Sequence, residues 1–365
     1  MIIESLNLAN FRNYESLSMR FSDGTNIFYG DNAQGKTNIL EALYMIATTR
    51  SHRSGIKDRE MIRFDQEEAH IRSVIYKHDI DYQIDMHLRK SKTKGIAING
   101  QRIKKASQLV GLLNIVFFSP EDLSIIKNGP SERRRFMDME LCQLDAEYMH
   151  QLNSYNRIVD QRNRLLKDIY FNPGLAGTLD IWDEQLCEYG EKIIERRKQF
   201  IDDLNEMIGE IHYKISGGKE RLVINYEPSC LSGELREKVK KNREKDCYMK
   251  ITSVGPHRDD FSFIGNEIDL RKFGSQGQQR SCALSLKLAE IELVTCCIGE
   301  RPVLMLDDVL SELDSNRQNY LLSSIGGIQT FITCTGLDEF VRNRFEIDKV
   351  FHITEGSYTE KTGKE

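Results

Sequence analysis

Residues 28–40, FYGDNAQGKTNIL, limit the possible folds more than any other part of the chain. Gly30, Gly35, Lys36 and Thr37 have the spacing of a phosphate-binding loop. Upstream, Thr25 to Tyr29 is short, β-prone and mostly apolar; downstream, Ile39, Leu40, Leu43 and Ile46 recur at helical spacing. Strand, loop and helix are the context this spacing requires, and a turn with two glycines by chance lacks it. The chemistry follows from the residue types. Backbone N–H groups of Gly30, Asp31, Asn32, Ala33, Gln34, Gly35 and Asn38 can close around a β-phosphate, and Lys36 supplies a point charge. The Thr37 hydroxyl can ligate Mg²⁺. The expectation is a nucleotide site that takes ATP with Mg²⁺.

With 365 residues the chain can bury one large core or two modest ones. Its eight cysteines are scattered, with only Cys296 and Cys297 adjacent, so their spacing suggests neither a zinc site nor a disulfide framework. No basic leader precedes an apolar block and no long apolar run appears, so the expected location is the cytoplasm, with no membrane partner. The net charge of −5 argues against a wholly basic nucleic-acid binder, but it hides basic clusters at Arg50–Lys57, Arg89–Lys94, Arg102–Lys105 and Arg133–Arg135. Each alone reads as a solvated face; together they make an acidic partner plausible.

The first thirty residues read as strands separated by turns, and Ala69–Tyr76, Asp79–Leu88 and Gly95–Asn99 alternate apolar and polar residues as an antiparallel sheet would. From about Ser131 the period becomes helical. Two long stretches, Phe136–Ile169 and Trp182–Ile211, are separated by Asn172-Pro173-Gly174, which predicts two long antiparallel helices of roughly 50 Å each. From about Met249 the chain returns to α/β character. The predicted fold class is α/β: a P-loop head with a mixed sheet, formed by residues 1–115 and 245–365 and split by a helical arm over 116–244.

A phosphate loop needs a carboxylate at the end of a neighbouring buried strand. Val303–Leu306 is an apolar run of strand length ending in Asp307-Asp308. Asp307 is the candidate second Mg²⁺ ligand with Thr37, and Asp308 the candidate base that orients or deprotonates the attacking water. A second small-residue loop, Gly274-Ser275-Gln276-Gly277-Gln278, feeds another long helix and offers a second anion site through Ser275, Gly277 and Gln278.

In order, Gly30–Thr37, the Gly274–Gln278 loop, Val303–Asp308 and Ser311–Asp314 resemble the Walker A, signature, Walker B and D-loop motifs of ABC-type ATPases. More narrowly, Pro120–Leu123 with Arg133–Phe136, Gly255–Asp260, and Leu306–Asp314 resemble the RecF family of bacterial recombination mediators. Asn10–Tyr14 is similar to the opening of RecF, Rad50 and SMC heads. The resemblance spans nearly the whole chain. It implies an ATP-dependent homodimer, joined head to tail so that the Ser275 loop meets the γ-phosphate held by Lys36 of the partner subunit. It further implies a nucleoid-associated clamp at gapped DNA or ssDNA–dsDNA junctions, a RecR partner, RecO and RecA reached indirectly, and weak DNA-stimulated ATP hydrolysis with Lys36, Ser275 and Asp308 as catalytic residues. Arg12 resembles a nucleotide-contacting arginine.

The chain departs from the ABC pattern at three places. Asp308 stands where a glutamate is usual, which implies slow turnover. Thr333-Cys334-Thr335 occupies the region of the switch histidine, and no clear Q-loop glutamine appears, although Ser119–Asp122 falls in that region. Candidate DNA contacts are Arg133, Arg134, Arg135, Lys104 and Lys105; the three arginines read equally well as ion-paired structural residues. The rival readings are an ABC transport subunit, an SMC- or Rad50-like chromosome head, and a small-molecule phosphotransferase. The absent switch histidine and long arm disfavour the first, the short arm disfavours the second, and the Ser275 loop is unexplained by the third.

Overall fold

The computed structural model of the chain describes residues 1–53, 55–336 and 347–362. Its strands and helices begin with the hairpin β1 (Ile2–Phe11) and β2 (Tyr14–Arg20), then β3 (Thr25–Tyr29) and α1 (Lys36–Thr48). Next come β4 (Glu68–Lys77), β5 (Ile80–Arg89), β6 (Gly95–Ile98), β7 (Gln101–Arg102) and β8 (Ile115–Phe118). The helical stretch is α2 (Leu123–Lys127), α3 (Pro130–Leu144), α4 (Ala146–Phe171) and α5 (Leu179–Ile215). After β9 (Leu222–Glu227) come α6 (Leu235–Lys241), α7 (Arg243–Met249), β10 (Asp260–Gly265), β11 (Ile268–Asp269), α8 (Leu270–Phe273) and α9 (Gln276–Ile298). The chain closes with β12 (Val303–Asp307), α10 (Ser315–Ser324), β13 (Thr330–Cys334), β14 (Ile347–Thr354) and β15 (Ser357–Thr362).

Two compact units emerge, residues 1–122 with 290–365, and residues 123–289. The sequence reading instead sets the boundaries near 115 and 245. Residues 245–289 fall in the helical unit because β10, which follows α7, pairs along its whole length with β9, the strand that returns from α5.

In the first unit, a mixed sheet has the order β15-β14-β3-β13-β12-β8, with all neighbours parallel except the β14–β15 hairpin. The strands bearing the two candidate phosphate-site motifs, β3 and β12, are thus separated by a single strand, β13. Burial explains why these strands read as apolar runs: all four residues of β8 are buried, as are the first four of β12. Phe28 on β3 stacks between Phe331 and Phe351 on the flanking strands, at centroid distances of 6.1 and 5.4 Å. A second, antiparallel sheet, β2-β1-β4-β5-β6-β7, presents alternate residues to the core and to solvent.

The second unit departs from the two-helix expectation. The first predicted helix is two helices, α3 and α4, broken at Asp145. Asp145 has extended backbone and its carboxylate accepts from the N–H groups of Glu147 and Tyr148, which caps α4 and ends α3 in one residue. Helix α5 runs unbroken for 37 residues, about 56 Å, while α4 spans 26, about 39 Å. Their far ends meet in a small core of Leu166, Ile169 and Leu179.

Three arginines lie fully inside this unit, and each is paired, as a charge removed from water must be. Arg133 donates to both oxygens of Asp260 at 2.6 and 2.9 Å, Arg162 to Asp183 and Asp246, and Arg197 to Asp138 and Asp259. Asp259 also accepts from the Tyr226 hydroxyl and the Ser229 N–H. Beside it, His257 donates through Nε2 to Thr252 O and accepts at Nδ1 from Tyr155; burial pushes its imidazole down to about 4, so it is neutral. Within Gly255–Asp260, His257, Asp259 and Asp260 are therefore tied into a polar network, and Arg258 is exposed.

Candidate functional site

Gly30 follows β3 with φ +148°, and a Cβ there would lie 2.4 Å from the carbonyl oxygen of Ile353. Gly35 has φ +113° and is enclosed by Asn13 and the Tyr14 hydroxyl, 2.6 and 2.7 Å from where its Cβ would stand. Both positions admit only glycine, for backbone conformation and for space. Between them Asp31, Asn32, Ala33 and Gln34 form the exposed to half-buried rim, with Ala33 itself left-handed at φ +63°. Asn13 donates to Gln34 O at 2.9 Å and accepts from Asn38 at 2.9 Å, and Tyr14 donates to Gly35 O at 3.1 Å. These two residues pin the loop. Sequence reasoning misses that role even though both stand in the Asn10–Tyr14 stretch, because their reach to the loop depends on the β1–β2 turn lying against it.

Helix α1 starts at Lys36 with no side-chain cap and no acid in its first turn. The open N-terminus and its dipole favour an anion. Lys36 curls back over the loop, donating to the carbonyls of Gly30 at 2.5 Å and Asp31 at 2.7 Å. Burial lowers its pKa, and the negative groups around it, Asp308, Asp307 and Asp31 among them, work in the other direction.

Asp307 ends β12 beside Thr333, its register partner on β13. Its Oδ1 accepts from Thr37 Oγ1 at 2.9 Å and from Thr333 Oγ1 at 2.7 Å. Thr333 in turn accepts from the backbone N–H of Asp308 at 3.0 Å. The residue found in the switch-histidine region thus joins the two acids, a link that no spacing rule predicts because it depends on β13 lying between β3 and β12. Asp308 is exposed and has φ +54°, a left-handed conformation that Asp tolerates better than most residues. Thr37 and Asp307 together offer hard oxygen donors next to a phosphate loop, the donor set that suits Mg²⁺. Ser119–Asp122 follows β8, the strand beside β12, and the Ser119 N–H donates to Asp122 at 2.7 Å.

Arg12 sits behind α1. Its Nε and Nη2 each donate to Glu41 at 2.7 Å and its Nη1 to Glu60 O at 2.9 Å. These bonds use three of the five guanidinium N–H donors. Glu41 is completely buried. Burial raises its pKa, but Arg12 and the Ser51 hydroxyl outweigh that and hold it below the usual carboxylate range.

The Ser275 loop belongs to the other unit. The Ser275 hydroxyl accepts from the Gln278 N–H at 3.2 Å, and the Gln278 side chain accepts from the Ser275 N–H at 2.8 Å. This reciprocal box starts α9. Gly277 is half-buried, and Gly274 is tight against Leu270, whose carbonyl oxygen would be 2.5 Å from a Cβ.

Among the candidate DNA contacts, Arg133 is corrected. It is 1 % exposed and its charge is met by Asp260, far along the chain. Arg134 is half-buried and donates to Asp259 O, and burial lowers its pKa. Arg135 is half-buried, whereas Lys104 and Lys105 are exposed.

Residues 2–359 match the family described as the RecF/RecN/SMC N terminal domain. Two relatives named DNA replication and repair protein RecF, from Agathobacter rectalis and Lachnoclostridium phytofermentans, are 61 % and 59 % identical; each alignment covers 98 % of this chain and 98 % and 99 % of the relative. A solved structure of the recombination mediator protein RecF with ATP in the RecFOR pathway superposes with TM-score 0.90 at 36 % identity, covering 99 % of this chain and 97 % of that one. An Smc head bound to the C-winged helix domain of ScpA superposes with TM-score 0.57 at 15 % identity, a likeness of fold alone. The architecture is that of an ABC-type ATPase head with a helical arm inserted in it. With a family match over almost its full length, the chain belongs to the RecF family of SMC-related ATPases.

Proposed function

We propose that this chain is an ATP-dependent DNA-binding clamp that acts in replication and recombinational repair. The observation that carries the reading is the 2.9 Å contact between Thr37 and Asp307, beneath an uncapped helix start and a lysine folded back onto two loop carbonyls. It is supported by the relatives named for DNA replication and repair and by the similar RecF structure solved with ATP. ATP binds along Gly30–Asn38, and Lys36 exchanges its two backbone carbonyls for phosphate oxygens. Thr37 and Asp307 hold Mg²⁺, which neutralises phosphate charge. Asp308 orients or deprotonates water, and its short side chain keeps hydrolysis slow.

In this reading two copies join head to tail, and the Ser275 box opens to place its hydroxyl and N–H groups on the triphosphate held by the partner subunit. A nucleotide that binds only the dimer shifts association by its differential affinity, so hydrolysis releases the clamp. DNA at gaps and ssDNA–dsDNA junctions is the substrate surface, RecR the direct partner, and RecA loading with RecO the outcome. Among the described residues, no helix is long and apolar enough to cross a membrane.

Analytical ultracentrifugation with and without ATP and Mg²⁺ tests the reading. We expect a monomer without ATP and a dimer with it, with dimerisation abolished by Lys36→Ala or Ser275→Arg. Sedimentation unchanged by ATP, or a Ser275→Arg variant that dimerises normally, would defeat it.

A further inference from the structure

The solvent face of the antiparallel sheet carries a cluster that the nucleotide site does not use. His70 on β4 and His87 on β5 are direct register partners, and Glu68 lies two residues before His70 on the same face. Ala69, Ile71, Met86 and Leu88 alternate with them and are buried on the other face, so the register cannot slip without exposing the core. The two imidazoles stack with centroids 4.0 Å apart and an interplanar angle of 19°. Both Nε2 atoms face one carboxylate: His87 Nε2 lies 2.8 Å from Glu68 Oε2 and His70 Nε2 3.8 Å from Glu68 Oε1.

We propose that Glu68, His70 and His87 form a binding site for a divalent transition-metal ion of the zinc class, with two imidazole nitrogens and one carboxylate oxygen as ligands. Donor chemistry selects the metal. Two imidazoles with a single carboxylate suit Zn²⁺, Cu²⁺ or Ni²⁺ and disfavour Mg²⁺ and Ca²⁺, which require an oxygen shell. Three protein ligands leave a fourth position for water, as in zinc sites that remain open.

Geometry permits the closure. The three donor atoms lie within 4.8 Å of one another, and a tetrahedral ion with bonds of about 2.1 Å needs them about 3.4 Å apart. The side chains are 53, 52 and 32 % exposed, so small torsional adjustments bring them together without moving the backbone. A cavity of about 480 Å³ lined in part by His70 and His87 leaves room for the water ligand. Of the arginines lining this cavity, Arg72 pairs with Asp85 and Arg89 donates to Thr93 O at 3.0 Å, while Arg102 lines it as well.

The test uses the full chain, freed of metal by chelator dialysis and titrated with ZnCl₂ alone. Isothermal calorimetry is run in a Cys296→Ser, Cys297→Ser background because both thiols are exposed. We expect about one equivalent bound at micromolar affinity, weakened about tenfold or more by His70→Ala or His87→Ala and less by Glu68→Gln. Long-range ¹H–¹⁵N spectra of the imidazoles of the parent protein provide a readout independent of variant folding: the His70 and His87 signals should move together at one equivalent. Equal binding by parent and His87→Ala, binding only at millimolar Zn²⁺, or unmoved His70 and His87 signals would each overturn the proposal.

Discussion

Asp308 illustrates how a single position can be read from sequence as a chemical group but not as a conformation. Its φ of +54° favours Asp or Asn over the longer glutamate usual there, so the backbone at the end of β12 is itself a reason for the shorter acid. Asp308→Asn keeps that conformation and removes the charge. We expect it to bind ATP within about threefold of the parent while hydrolysis falls on the order of a hundredfold, read by phosphate release under single-turnover conditions. Retention of the parent rate would remove Asp308 from the chemistry. Glu41 carries a second prediction. Because its folded pKa is depressed, the Arg12–Glu41 pair stabilises fully above the ordinary carboxylate range and loses that contribution as pH falls through the lower folded value. Glu41→Gln should therefore cost about 3 kcal/mol at neutral pH, and the cost should shrink in acid, as measured by urea unfolding across pH. A cost independent of pH would show that packing, not charge, holds this corner.

Among the strands and helices, the legible ones are those whose periodicity or glycine spacing is local. Strands β1 to β6, the phosphate loop with α1, and the β12 run ending in Asp307 follow from alternation, apolar runs and turn residues over a few positions. The break between α3 and α4 escapes sequence reasoning because apolar spacing continues through it; only the capping carboxylate of Asp145 marks the end of one helix and the start of the next. Asp145→Ala should destabilise the protein by about 1 kcal/mol, seen as a lower urea midpoint, while Asp145→Asn recovers most of the loss. If Asn fails to rescue, the ion pair of Asp145 with Arg196 at 3.3 Å, not the cap, is what matters. The histidine pair on β4 and β5 is invisible for a different reason. Cysteine and histidine spacing along the chain does not show which residues of two consecutive strands the hairpin register sets face to face.

Across the whole chain, a net charge of −5 means that DNA affinity depends on where cations lie. Burial divides the basic clusters. Arg133 is neutralised by Asp260, whereas Lys104 and Lys105 face solvent. Replacing Lys104 and Lys105 by alanine should weaken DNA binding across all sequences and flatten the salt dependence, lowering the slope of log affinity against log salt by about one for every phosphate no longer neutralised. Arg133→Met should instead lower stability without changing that slope. Fluorescence anisotropy over a salt series decides, and a slope unaffected by the lysine pair would place the DNA surface elsewhere.

The chemistry available to this protein is written locally: a loop that only glycines can turn, a lysine and threonine behind it, and an acid at the end of an apolar strand. The loop, its lysine and its threonine are contiguous, and Asp307 closes its own apolar run far along the chain; each is set by sterics and hydrogen bonding over a few neighbouring residues, and so local amino-acid order suffices to mark them. Which charges are committed and which stay available is settled by folding. Whether Arg12 or Arg133 is engaged, whether Thr333 links Asp307 to Asp308, and whether His70 meets His87 all depend on strand order, register and burial. Those follow from the packing of segments far apart in sequence, since a charge or a donor keeps its reach only where the surrounding fold leaves it unpaired.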